Sequence, residues 1–456
     1  MNSSDSKKNI CSDLFESLHD ENVVENYEEK KNVSVSQIFL EAFYLGSTSI
    51  GSYQKKNNKI KKIVNEKRHI TLKSFNTLVC FAEHLPGPTA TQIIVAISAV
   101  KTNSIIGTLF GFIGYILPGL SLSLFLSSFV YFLGINMGLN ATNTVGYPLI
   151  TISSKNYFQY YLQIILTGLN QGSLAILLLN GIDFSNKFSN SIFHLFLIFF
   201  SAITYYFFNS FPFMILIMII CGLLSLMKCD QDYVIGIEDF TMNLSDTPFI
   251  GTQCLIVYLL AYIMILISVL YLDLLSINFY LMQRFFMMGS IVIGGGASVV
   301  PFIMSEFSLE NLITEQEVLS GFSIVTLLPG PTFNIACIIA TMINGPIAGL
   351  LSTIVLFLPG ILFILWGLPY IKYFKQMYSL QRFLSGVTCA GTGFIFTACF
   401  KLWIITCMYN PFSNWIVGSL NFILSCILIS TIHIIEPIAI IISSIFLLCV
   451  KIIIKV

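Results

Sequence analysis

Past residue 35 the chain alternates between apolar runs and short polar stretches, and the apolar runs show no two-residue strand period. Many approach 20 residues, the length a helix needs to cross about 30 Å of hydrocarbon. A membrane β-barrel would instead show alternating segments of about 10 residues. The runs predict helices over roughly 36–53, 74–100, 104–133, 157–180, 191–208, 211–227, 250–275, 279–300, 317–343, 346–371, 383–406, 412–430 and 434–454. The expected fold is an all-α polytopic membrane protein with about 12–13 transmembrane segments.

The pattern occurs twice. Leu85-Pro86-Gly87-Pro88 returns as Leu328-Pro329-Gly330-Pro331, 243 residues later. The same offset carries Gly46 and Gly51 onto Gly289 and Gly294, and Leu117-Pro118-Gly119 returns as Leu358-Pro359-Gly360 at an offset of 241. Ordered matches at one spacing mean an internal repeat. The expected organisation is a disordered acidic tail (1–35), a first repeat (36–227), a polar loop with a linking helix (228–278) and a second repeat (279–456).

Each Leu-Pro-Gly-Pro string breaks its helix. Pro86 and Pro88 lack an N–H, and Pro88 disfavours helical geometry at Gly87. The segment divides into half-helices of about 12 residues, or roughly 18 Å. The half-helix starting near Thr89 presents unpaired N–H groups and the positive end of its dipole, a site suited to an anion. Thr89, Thr91 and Gln92 lie on its first turn, and Thr332 and Asn334 lie correspondingly after Pro329, Gly330 and Pro331. Broken backbone at membrane depth persists where it lines an enclosed cavity, as in transporters built from repeats. The run Gly294-Gly295-Gly296 allows close helix approach or exposed backbone. Pro118 and Pro359 are expected to kink their helices. Ionisable groups at membrane depth are costly and therefore informative. Glu83 and His84, directly before the first break, are the proton-coupling candidates, because a carboxylate beside an anion repels it unless protonated. Arg284, Lys401, His194, His433 and Glu436 are expected near interfaces or helix ends.

Charge suggests how the repeats are oriented. Between the glycine motif and the break, the first repeat carries Lys55, Lys56, Lys59, Lys61, Lys62, Lys67, Arg68 and Lys73. The equivalent stretch of the second carries Glu306, Glu310, Glu315 and Glu317 and no Lys or Arg. Basic loops stay cytosolic, so equivalent loops are expected on opposite faces and the repeats inverted. The segment 134–156 has one lysine and the sequon Asn140-Ala141-Thr142, whereas its counterpart carries Lys372, Lys375 and Arg382.

Composition narrows the function classes. Charged residues are 10% of the chain and hydrophobic ones 55%, with a mean hydropathy of +0.83. Zero formal net charge argues against a nucleic-acid partner. There is no P-loop string to bind ATP, and no CxxC pair among the eleven cysteines, which read as buried small hydrophobes. No HExxH or GxGD-type aspartate pair supports a membrane-embedded enzyme, and Asp273 stands alone. No metal site and no cofactor are expected.

At these motifs the chain resembles the chromate ion transporter family, in its long two-domain form. The matching residues are both Leu-Pro-Gly-Pro strings, Thr91-Gln92, Gly168-Leu169-Asn170, Gly294-Gly295-Gly296 with Pro301, Leu312 to Glu317, and Gly349-Leu350 leading to Leu358-Pro359. They span about 37–180 and 279–405. The resemblance implies transport of chromate, commonly efflux, or of sulfate-like dianions, and adds Asn170 to the expected substrate site. The chain departs from the family where Ser52-Tyr53 follow Gly51, near His69, at Glu83 and at Thr388. The expected activity is secondary transport of an oxyanion by alternating access, with protons as a coupling partner. Lipid contact, a homodimer and the plasma membrane are expected. An anion channel of the same architecture, or a transporter of a different small solute, is the alternative.

Overall fold

The computed structural model describes residues 33–51, 53–67, 70–136, 157–189, 191–227, 247–271, 277–293, 295–374, 376–408, 415–432 and 435–454. The N-terminal tail through residue 32, the sequon, the acidic loop at 228–246, Asp273, Gly294, Lys375 and His433 lie outside the described residues. The described residues contain helices and no strand.

The first repeat holds α1 (Val35–Thr48), α2 (Tyr53–Glu66), α3 (Leu72–Glu83), α4 (Thr89–Thr102), α5 (Ile105–Asn136), α6 (Tyr157–Phe188), α7 (Ile192–Phe207) and α8 (Phe211–Met227). The linking helix is α9 (Thr247–Tyr271). The second repeat holds α10 (Ile277–Ile291), α11 (Val299–Ile303), α12 (Glu315–Leu327), α13 (Ile335–Asn344), α14 (Pro346–Gly367), α15 (Ile371–Phe374), α16 (Tyr378–Met408), α17 (Trp415–Ser430) and α18 (Glu436–Ile454).

Local chemistry sets the helix ends. Ser34 caps α1 by accepting from Gln37 N, and Thr71 caps α3 by accepting from Ser74 N. Thr314 and Glu317 form a capping box at α12. Asn103 ends α4 in the left-handed region at φ 45°. Among the described residues, five helices (α5, α6, α14, α16 and α18) contain stretches long and apolar enough to cross a membrane. Both Pro118 and Pro359 are absorbed inside continuous helices.

The broken segments behave as expected. α3 has 12 residues and α4 has 14, so at about 1.5 Å per residue neither half-helix spans the bilayer alone. In the second repeat a 3₁₀ turn, Thr332–Asn334, stands before α13. One expectation fails: the lysine-rich stretch after Gly51 is not simply a loop. It folds as α2, and Lys56, Ile60 and Val64 are buried at i, i+4 spacing.

The repeats share their packing. α1 lies on α5 as α10 lies on α14. Gly46 faces the Tyr115 carbonyl as Gly289 faces the Leu356 carbonyl. The second long helix of each repeat then crosses over: α6 packs on α17 and α18, and α16 packs on α7 and α8. Ser443 donates to the Gly168 carbonyl at 2.8 Å, and Thr397 donates to the Ala202 carbonyl at 2.7 Å. Each repeat therefore completes the core of the other. The outer surface carries large apolar side chains, among them Phe125, Phe199, Met264 and Leu420. Such a surface suits lipid rather than water. The chain is an integral membrane protein.

Candidate functional site

The two helix breaks bond across the repeats. Gly87 donates its N–H to the Val292 carbonyl at 2.8 Å, and Gly330 donates to the Ser49 carbonyl at 2.9 Å. Donors and acceptors are both related by the 243-residue offset, so each bond is the image of the other. Both glycines have positive φ, 118° and 94°. The segment just after α10 touches both breaks. Its Val292 carbonyl holds Gly87, and Gly296 lies so close to Thr332 that a Cβ would fall 1.4 Å from Thr332 Oγ1. The two breaks therefore converge.

Their helix starts are buried and uncapped by side chains. Pro88 and Pro331 stand at the cap positions, and neither supplies a side-chain acceptor. The first N–H groups of a helix have no partner within it. The polar side chains around them are equally underused. Thr91, Gln92 and Asn334 are fully buried. Thr91 Oγ1, Gln92 Oε1 and both amide atoms of Asn334 have no hydrogen-bond partner. These atoms leave hydrogen-bonding capacity unused at both breaks.

Gln92 differs from its expected role in one respect. Its Nε2 donates to the Pro86 carbonyl at 2.7 Å and to the Gly360 carbonyl at 3.1 Å. The amide donor thus ties the first break to α14 of the other repeat. Asn334 sits against Gly119 with its amide uncommitted. Of the expected residues, the structure brings together Pro86 to Thr89, Thr91, Gln92, Gly295, Gly296, Pro329 to Thr332 and Asn334. Asn170 is engaged elsewhere: it donates to Ser320 Oγ and accepts from Ser323 Oγ, joining α6 to α12.

Lys56 is a site residue that the sequence reading assigned only to a basic stretch. It is 4% exposed, and its Nζ donates to the Gly330 carbonyl at 2.7 Å. α2 is 14 residues long and carries five lysines, too short and too basic to span a bilayer. Burial pushes the Lys56 ammonium down to about 8, against an opposing pull from the Glu436 carboxylate. Glu436, at the start of α18, is buried and pairs with Lys55 at 3.1 Å. Its other oxygen, Oε2, lies 2.8 Å from where a Cβ on Gly51 would stand and has no hydrogen-bond partner. The sequence signal was available in the four-residue spacing of Lys56, Ile60 and Val64, but nothing linear connects residue 56 with residue 436.

Glu83 and His84 close α3. Glu83 is buried and pairs with Lys187 of α6 at 2.5 Å. His84 donates from Nδ1 to the Cys80 carbonyl at 2.7 Å and packs against Phe188 and Phe374. Beside them a half-open cavity of about 230 Å³ is lined by Lys61, Lys187, Asp183, Asn57, Asn76 and Asn180, among others. The remaining ionisable groups lie apart. Arg284 pairs with Glu306 at 2.8 Å, Lys401 sits over the rings of Tyr205 and Tyr206, and His194 is held by Ser191 and Ser385. Among the described residues no cluster of metal-ligating side chains occurs, and the described cysteines are free thiols.

Comparison with known proteins identifies the relatives. The family model described as chromate transporter matches residues 36–226 and 279–449. An uncharacterized transporter of Methanocaldococcus jannaschii is 22% identical over 385 residues, covering 84% of this chain and 88% of that protein. The chromate transport protein of Pseudomonas aeruginosa is 26% identical over 107 residues, 24% of this chain and 26% of that one. A probable chromate transport protein of Synechococcus elongatus is 28% identical over 111 residues, 24% and 28% of the two chains. No solved structure matches the chain.

Proposed function

This chain belongs to the chromate transporter family, and on that premise we propose that it is a secondary transporter holding its oxyanion between the two helix breaks. The observation that carries the reading is the pair of converging, uncapped helix starts, surrounded by polar atoms with no partner. The N–H groups after Pro88 and after Pro331 would bind the oxygens, helped by the hydroxyl of Thr91 and the amide of Asn334. Thr89 and Thr332 stand at the two starts, and Gly296 lies directly against Thr332.

The substrate class is a small dianion such as chromate or sulfate. The repeats are read as inverted, and their exchange of α6 and α16 supplies two packed units that could rock about the shared breaks. Glu83 is the proposed proton acceptor. Its protonation would release Lys187 at the cavity mouth, coupling anion entry to protons. His84 packs beside it, and its ring Nε2 has no hydrogen-bond partner. The plasma membrane is the proposed location.

The test is uptake of radiolabelled chromate and sulfate into proteoliposomes, with and without a pH gradient. Saturable uptake that responds to the gradient supports coupled transport. Saturable uptake indifferent to the gradient retains the site and removes the coupling. A conductance that never saturates favours a channel of the same architecture. Absence of uptake by well-inserted protein rejects the oxyanion.

A further inference from the structure

The two halves of the site are not electrically equivalent. The 243-residue offset carries Lys56 onto Val299, a fully buried apolar residue. Lys56 therefore has no cationic counterpart at the equivalent position of the second repeat, and its own ammonium reaches the carbonyl of Gly330 there. A buried ammonium is expensive unless charge or hydrogen bonds compensate it. One carbonyl supplies part of that compensation. The Glu436 carboxylate supplies more through space, while its oxygen Oε1 is bonded to Lys55 and Oε2 has no hydrogen-bond partner.

We propose that Lys56 is a direct cationic ligand of the transported oxyanion, and that Glu436 is the resident counter-charge which the anion displaces. The proposal rests on the oxyanion reading above. Two helix starts provide partial positive charge, and a single ammonium adds a full one, which suits a divalent oxyanion better than a monovalent ion. Glu436 keeps the empty site neutral enough to remain folded and competes with the arriving anion for Lys55 and Lys56. That competition weakens binding and speeds release, which a transporter needs. Asp183 of α6, in the lining of the neighbouring cavity, adds a further negative charge on that side.

The experiment measures equilibrium binding of radiolabelled sulfate and of chromate to the purified full chain in detergent. It is repeated for Lys56→Met, Lys56→Arg and Glu436→Gln, with thermal unfolding followed in parallel. Lys56→Met should weaken binding at least about tenfold, and Lys56→Arg should retain most of it. Glu436→Gln should tighten binding about tenfold and slow turnover in proteoliposomes. Unchanged affinity in Lys56→Met, or weaker rather than tighter binding in a stably folded Glu436→Gln, would overturn the proposal and make the cluster structural. If wild-type protein binds neither anion, the oxyanion reading itself fails and takes the proposal with it. Binding by wild type that Lys56→Met retains removes this proposal alone.

Discussion

Gly87 and Gly360 meet backbone to backbone: a Cβ on Gly87 would stand 2.6 Å from the Gly360 Cα. The contact joins the first helix break to the proline-bearing helix of the other repeat. Its image joins Gly330 to Gly119 at 3.2 Å. The close approach lets Gln92 reach the Gly360 carbonyl and fixes where the helix start of α4 points.

Gly87→Ala should therefore abolish anion uptake while leaving membrane insertion intact. The new methyl group meets backbone, which cannot move aside as a side-chain tip would. The positive φ adds strain, and each effect costs about 1–3 kcal/mol. Gly360→Ala should do nearly the same, because it closes the same gap from the other side. Uptake at wild-type rates in either inserted variant would show that the contact does not set the site.

Asn334 separates a binding role from a packing role. Its buried amide has no partner, so replacing it with Leu removes a desolvation cost of about 1–3 kcal/mol. Asn334→Leu should melt at the same temperature or higher, yet lose oxyanion binding. Lower stability with unchanged binding would assign the amide to the fold. Gln92→Ala should instead lower both, since its donor bridges Pro86 and Gly360.

Glu83→Gln should uncouple transport. The pair with Lys187 loses its charge, and Lys187 is partly solvated, so the stability cost stays near 1 kcal/mol. Uptake should cease to respond to an imposed pH gradient, while exchange of internal for external anion continues. A gradient response that survives the substitution places the proton elsewhere.

Much of this molecule was legible because helix breaks are chemical events. Pro86, Gly87 and Pro88 cannot continue a helix, and their reappearance at Pro329, Gly330 and Pro331 announced both the repeat and the location of the candidate site. The helix starts at Thr89 and Thr332 followed directly. What remained hidden depended on long-range pairing. The crossing of Gly87 to Val292 and of Gly330 to Ser49 needs both repeats folded together. The five lysines of α2 give it the charge of a loop, whereas the four-residue spacing of its buried Lys56, Ile60 and Val64 is that of a helix. Glu436 lies 380 positions from Lys56 in the chain, so only the fold reveals them as neighbours. Asn170, chosen on family resemblance, is engaged with Ser320 and Ser323.

The pH dependence of binding should expose Lys56. Its ammonium is held down to about 8, from an ordinary value of 10.5, by burial. Sulfate remains a dianion over this range, so any change in its affinity belongs to the protein. Below pH 8 Lys56 is charged and affinity should be flat. Above it, the empty site loses its proton before a bound anion allows, and affinity should fall by up to about tenfold per pH unit. Folding stability should move the opposite way. Between about 8 and 10.5 the unfolded chain keeps a proton that the folded chain has released, so the empty protein gains stability as pH rises. Lys56→Arg keeps its charge throughout and should flatten both curves. Lys55 on the same helix, Glu436 paired with it, and Asp183 of the neighbouring cavity are present in both proteins, so the difference between the curves isolates residue 56. Matching curves for wild type and Lys56→Arg would mean that this lysine does not touch the anion.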